Sequence, residues 1–153
     1  MIRNSKLSGV LHVLLHMAEL DGPATSEMLA KAMCTNPVVV RRTLGGLRDA
    51  GYVRSEKGHG GGWCIARPLT EITLLDIYRA LGAPPLFAMG NRTESPGCAV
   101  EQAVNAALDE SFREAEALLL TRLGEVTLAA LSEDFHARVA GRHQTWDLEK
   151  AHG

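Results

Sequence analysis

The period of the apolar residues changes at Gly51, and that change limits the fold more than any other feature of the chain. Upstream, apolar side chains recur at helical spacing in three segments; downstream, "YVRSE" and "WCIAR" alternate apolar and polar residues around "KGHGGG". The pattern predicts three helices followed directly by a hairpin with a glycine-rich tip. The first helix covers residues 6–19, with Leu7, Val10, Leu11, Leu14, Leu15 and Ala18 on its stripe. The second, "SEMLAKAM", follows "LDGPAT"; Thr25 caps it and Glu27 lies in its first turn, where the helix dipole favours an acid.

The turn "CTN" leads into the third helix, "NPVVVRRTLGGLRDAGYV", which carries the charge of interest. Asn36 can accept a hydrogen bond from the free first-turn amides, Pro37 suits the first helical position, and Gly51 ends the helix. At about 100° per residue, Val40, Leu44 and Leu47 share one face, with Val38, Arg42, Gly45 and Asp49 roughly opposite. Arg41 and Arg48 fall on one flank. This is a short helix with a buried apolar edge and a cationic outer face. A solvated charged face is the plain reading of such a pattern. Its position argues for more: a short helix, a turn and a second helix with a polar outer face is the order of a helix-turn-helix, whose second member enters the DNA major groove. A hairpin directly after that helix is a wing, with Arg54, Lys57 and His59 as donors and with glycines that let backbone approach a sugar-phosphate chain. The glycines do not make a nucleotide loop, because no Lys-Ser/Thr follows and the loop enters a strand.

Charge is distributed in agreement with this. The net charge of −2 conceals +4 over residues 1–67 and −6 over residues 68–153. A basic first half beside an acidic second half suits a polyanion-binding module joined to something else. The 153 residues are enough for one domain with a helical arm. No long apolar run spans a membrane, and the first residues lack the small-residue cleavage site of a secretory signal, so a cytoplasmic protein is expected.

Beyond the hairpin, Pro68 ends the strand and "TLLDIYRALG" forms a helix in which Thr73 and Asp76 have capping-box spacing. Residues 83–97, rich in Pro, Gly and small polar side chains, form a loop. A long helix then runs from Cys98 to Leu123, with Val104, Leu108, Phe112, Ala115, Leu119 and Leu123 on one stripe too apolar to stand alone. Gly124 is expected to break it, and Thr127 to cap "LAALSEDFHARVA". The expected organisation is a winged domain with its linker helix over 1–82, the loop over 83–97, dimerisation helices over 98–140 and a frayed tail over 141–153. The fold class is mainly α with a small β-hairpin.

"TNPVVVRRTLGGLRDAGYV", the wing "GHGGGWCIARP", the sequel "EITLLDIYRALG" and "ALDESFREAEALLLTRLGEVTLAAL" together resemble the Rrf-type winged helix-turn-helix regulators. That bacterial family includes the iron-sulfur-cluster regulator, the nitric-oxide-sensing repressor and the cysteine-metabolism repressor. The likeness covers roughly residues 1–135 and implies a homodimer joined through the long helix, with two winged heads on a palindromic operator in duplex DNA. The candidate DNA-binding residues are Asn36, Val38, Arg41, Arg42, Arg48, Arg54, Lys57, His59, Gly60 and Gly61. An arginine among them can pair bidentately with guanine or bind a phosphate, and Val38 can meet a thymine methyl.

The chain departs from the family in its cysteines. Cluster-binding members carry three close together in the loop before the long helix, whereas here only Cys98 lies there; Cys34 precedes the arginine helix and Cys64 lies in the wing. A normal cluster needs four ligands, so no iron-sulfur cofactor is expected. Three widely spaced cysteines also spell out neither a disulfide framework nor a zinc pair. His12 and His16, spaced i, i+4, could supply the ligands that Cys98 lacks for a cluster or bind another metal, though such histidines more often pack or face solvent. Cys98 itself is either an inert small side chain, a thiol sensor activated by the helix N-terminus, or a metal ligand. The resulting reading is a homodimeric repressor, thiol- or redox-responsive. Its rivals are a winged-helix module that binds protein, and a regulator with an unusually ligated metal centre. No nucleophile, base and orienting group stand together, so an enzyme is not expected.

Overall fold

A computed structural model describes residues 6–87 and 89–142 of the chain. In order, these residues form α1 (Lys6–Ala18), α2 (Ser26–Ala32), α3 (Pro37–Asp49), β1 (Val53–Glu56), β2 (Gly62–Ile65), α4 (Leu74–Ala80), α5 (Ala99–Glu125) and α6 (Leu128–Arg142). A 3-10 turn at Leu69–Glu71 joins β2 to α4. The fold is mainly helical with one antiparallel hairpin, in the register Val53↔Ile65 to Glu56↔Gly62.

Local side-chain chemistry sets most of the helix starts. Thr25 accepts from the Met28 amide at 3.2 Å and Asn36 from the Val39 amide at 3.1 Å. Thr73 and Asp76 complete a reciprocal box at 2.9 and 3.1 Å. Thr127 accepts from the Ala130 amide at 3.1 Å. Each satisfies amides that the first turn leaves without partners. Gly51, at φ +84°, turns the chain out of α3 in a conformation that suits glycine.

The core gathers Val10, Val13, Leu14 and Met17 of α1, Leu29 of α2, Val40, Leu44 and Leu47 of α3, Val53, Trp63 and Ile77. On α1 the buried face is rotated from the expected stripe: Val13 and Met17 are buried, while Leu15 and Ala18 are half-buried. The buried set keeps the i, i+3, i+4, i+7 spacing, so either face satisfied the helical period and packing decided between them.

Two backbone bridges tie distant segments together. Ala24 and Trp63 exchange hydrogen bonds of 3.0 and 2.8 Å, which adds the entrance of α2 to the edge of the hairpin. Thr73 and Thr127 form the second bridge, with Leu74 N donating to Val126 O at 3.0 Å and Leu128 N to Ile72 O at 2.8 Å. The winged domain is thereby fixed to the junction of α5 and α6.

The long helix runs 27 residues from Ala99, and Gly124 lies inside its last turn rather than ending it. A Cβ at Gly124 would stand 3.3 Å from Leu75 Cδ2, so the glycine marks close packing against α4. None of the side chains of α5 is buried. Val100, Val104, Leu108, Leu118 and Leu119 are all exposed. The 83–97 loop lies along the first half of α5: Phe87 stacks on Phe112 at 6.0 Å, Asn105 Nδ2 donates to Arg92 O at 2.7 Å, and Ser95 N donates to Glu101. Helix α6 continues through Gly141, two residues beyond its expected end, and the rest of the expected tail lies outside the described residues.

Candidate nucleic-acid interface

The candidate contacts lie on α3, its entrance and the hairpin. Asn36 is committed to capping α3 through its side chain. Val38, 55% exposed, and the neighbouring Val39 leave an apolar spot at the helix N-terminus, and Met28 of α2 is exposed as well. Sequence reading picked out Val38 alone, since Val39 lies about 100° around the helix from the outward face that Val38 shares with Arg42. Arg42 points outward and is exposed, and it makes no hydrogen bond or ion pair with the described residues. On the flank, Arg41 stands 3.9 Å from Glu27 across the turn, and Arg48 lies 3.4 Å from its neighbour Asp49. Exposed pairs of this kind contribute at most about 1 kcal/mol, so they orient the arginines without immobilising them.

In the hairpin, Arg54 is drawn back across the strands: its guanidinium donates to Ile65 O at 2.9 Å and reaches Glu56 at 3.5 Å. Lys57 and His59 are exposed beside Gly58 and Gly60. Arg67, which the sequence reading did not single out, lies over the Tyr52 ring at 5.2 Å. The glycines have an internal cause. A Cβ at Gly61 would lie 2.2 Å from Glu56 O, and one at Gly62 would lie 2.5 Å from Ala24 O. The tight tip and its docking on Ala24 require both residues, whatever else approaches the hairpin.

Three cysteines occupy three separate elements. Cys34 is exposed in the turn before α3, Cys64 is half-buried in β2, and Cys98 is exposed at the N-terminus of α5. The free amides of Glu101 and Val100 favour the thiolate and hold the Cys98 thiol below its ordinary range. Burial pushes the Cys64 thiol up, and the Glu56 carboxylate adds to the effect. Among the described residues no three of His, Cys, Asp and Glu converge on a point that could hold a metal ion. Of the three cysteines, Cys98 alone lies where the 83–97 loop turns into α5. No helix among the described residues is long and apolar enough to cross a membrane.

With this geometry, known proteins provide a frame. A sequence model of the Rrf2 family, described as an iron-dependent transcriptional regulator, matches residues 3–134. YwnA of Bacillus subtilis, assigned as an HTH-type transcriptional regulator, is 32% identical over 126 residues, 82% of this chain and 92% of that protein. Rv1287 of Mycobacterium tuberculosis, assigned likewise, is 30% identical over 127 residues, 75% and 77% of the two chains. These relatives are transcriptional regulators, not enzymes. Among solved structures, the IscR of T. potens covers 95% of this chain and 93% of its own at TM-score 0.65 and 21% identity. The oxidized form of CymR from Staphylococcus aureus covers 87% and 97% at TM-score 0.65 and 22% identity. Both share the winged-helix fold with its long helix.

Proposed function

The chain belongs to the Rrf2 family of transcriptional regulators, and from that premise we propose that it is a cytoplasmic, homodimeric repressor of a palindromic DNA operator, responsive through Cys98 rather than through an iron-sulfur cluster. The observation that carries the DNA reading is the outer face of α3, where Arg42 stands exposed between the flanking Arg41 and the apolar Val38. Arginine and an apolar methyl contact are the groups that read guanine and thymine in the major groove. Lys57 and His59 on the hairpin supply contacts to the backbone. A module built to bind protein would present apolar or acidic side chains where these arginines stand.

The dimer reading rests on α5. A helix of 27 residues with no buried side chain and an apolar stripe through Val104, Leu108 and Leu119 needs a second surface, and a second copy supplies the same stripe in return. Cys98 lies where such a device could be tuned. Its amide donates to Ser95 O at 2.9 Å and its carbonyl accepts from Gln102 N at 3.0 Å, so the thiol sits at the point where the loop turns into α5. An adduct on the sulfur perturbs that turn and with it the angle between the winged heads; about 1.4 kcal/mol of coupling changes operator affinity tenfold.

Fluorescence anisotropy on duplexes from the protein's own promoter, measured over a salt series, tests the reading. Affinity is expected to fall with a log–log slope of roughly −0.9 per phosphate neutralised. Arg42→Ala is expected to weaken binding by about 1 to 3 kcal/mol. Salt-insensitive binding, or no binding to any promoter fragment, refutes it. Cys98→Ser is expected to bind DNA normally and to lose the response to peroxide or an electrophile.

A further inference from the structure

We propose that the cleft between the end of α1 and the hairpin is a binding site for a free α-amino acid with an apolar side chain. The cleft measures about 260 Å³, and Met17, Leu20, Asp21, Arg54, Cys64 and Ile65 form most of its wall. Pockets for drug-sized ligands run to about 300 to 1,000 Å³, so the occupant is a small molecule. The two opposite charges on the wall stand on different elements. Arg54 and Cys64 are directly paired in the strand register and therefore share one face of the hairpin, whereas Asp21 lies in the turn that follows α1.

Arg54 is held in place before any ligand arrives. One guanidinium nitrogen donates to Ile65 O at 2.9 Å and the other reaches Glu56 Oε1 at 3.5 Å. Those bonds leave further N–H donors of the fork unused, and a carboxylate is an anion that the fork fits. Asp21 makes no hydrogen bond or ion pair with the described residues. It stands just past the C-terminal end of α1, where the helix dipole also favours a cation. A carboxylate binder and an ammonium binder on one cleft select a zwitterion, since a simple anion is repelled by Asp21 and a simple amine by Arg54. Met17, Leu20 and Ile65 give the rest of the wall an apolar character that suits an apolar side chain. Burial and the Glu56 carboxylate keep the Cys64 thiol protonated, so it adds no charge. An occupant would join the turn after α1 to the hairpin. On the DNA-binding reading it also keeps Arg54 from a phosphate, but the site stands without that reading.

The test uses no DNA. L-Leucine is titrated calorimetrically into the full chain, beside 4-methylpentanoate, which lacks the ammonium, and leucinamide, which lacks the carboxylate. One leucine per chain is expected. Each analogue leaves one charge of the cleft unpaired and is expected to bind about tenfold or more weakly. Arg54→Gln and Asp21→Asn, both at exposed positions, are expected to lower leucine affinity by a similar factor. Iodoacetamide labelling mapped by mass spectrometry reports the location: saturating leucine is expected to slow modification of Cys64 and to leave Cys34 and Cys98 unchanged. No leucine uptake by the wild type, equal binding of either analogue, unchanged affinity in Arg54→Gln, or unchanged labelling of Cys64 overturns the proposal.

Discussion

Replacing Gly62 with alanine tests whether the hairpin is held to the rest of the winged domain by close backbone approach. Gly62 has φ +152°, and the added Cβ would stand 2.5 Å from the carbonyl oxygen of Ala24 and 2.7 Å from its carbonyl carbon. Backbone cannot swing aside as a side-chain tip does. Ala24 must retreat, and with it go the two hydrogen bonds of 3.0 and 2.8 Å that it exchanges with Trp63. Ala24 is fully buried, so the groups lose their partners without gaining water. An unsatisfied buried group costs about 1 to 3 kcal/mol, which makes about 2 to 6 kcal/mol for the N–H and C=O of Ala24 alone when both bonds are lost. That is a large share of the about 5 to 15 kcal/mol that holds a domain folded. Gly60→Ala is the control: φ is positive there too, at +78°, but nothing lies within 4 Å of the added atom. Its cost is the left-handed backbone alone, about 1 to 2 kcal/mol. Urea unfolding followed by circular dichroism is expected to show a much lower midpoint for Gly62→Ala at a similar slope. Equal midpoints for the two variants refute the reasoning.

Three further outcomes are expected. Cys34 has φ +51° in the turn between α2 and α3, so Cys34→Gly removes about 1 kcal/mol of backbone strain and raises Tm by about 2 to 4 °C in a thermal melt; an unchanged or lower Tm argues against strain there. Iodoacetamide labelling mapped by mass spectrometry is expected to modify Cys98 before Cys64 at neutral pH, because the thiolate fraction of Cys98 rises with pH through a midpoint below an ordinary cysteine's and that of Cys64 through one above it; the reverse order contradicts the helix-terminus argument. Burial of a leucine is worth about 1.5 to 3 kcal/mol, and Leu119→Glu would place an unpaired charge in the proposed seam, so sedimentation is expected to show monomers or aggregates; an unchanged dimer would locate the interface elsewhere.

Features governed by a few adjacent residues were legible in the sequence. The caps at Thr25, Asn36, Thr73 and Thr127 depend on a side-chain oxygen reaching an amide three residues on, and the sequence displays that spacing directly. The buried edge of α3 was readable for the same reason, because Val40, Leu44 and Leu47 leave little choice of face. On α1, apolar residues surround most of the helix, and only packing selects Val13 and Met17 over Leu15 and Ala18. Gly124 carried the opposite lesson: a glycine beside a helix end resembles a stop, but contact with Leu75 keeps it in the helix. The bridges from Ala24 to Trp63 and from Thr73 to Thr127 join residues far apart in the chain, and no local pattern announces such pairing. In the candidate interface, the arginines and the outward Val38 were visible. The Glu27 partner of Arg41 was not, since it depends on how the turn folds α2 against α3.

The carboxylates beside the arginines of the proposed interface have a consequence for the speed of target search. Arg41 stands with Glu27, Arg48 with Asp49 and Arg54 with Glu56. Random sequence offers a regulator little beyond phosphate charge, and each neighbouring acid reduces what an arginine gains from a phosphate. An operator adds base-edge contacts that the acids diminish less. Holding time on irrelevant DNA therefore shortens more than holding time at the operator. A genome presents about 10⁶ to 10⁹ competing sites, so the time a regulator spends away from its target is set by that ratio rather than by the operator affinity alone. For the proposed operator-binding regulator, carboxylates that cost affinity at every sequence in this way would favour faster sampling of the chromosome and the longest stay at the operator.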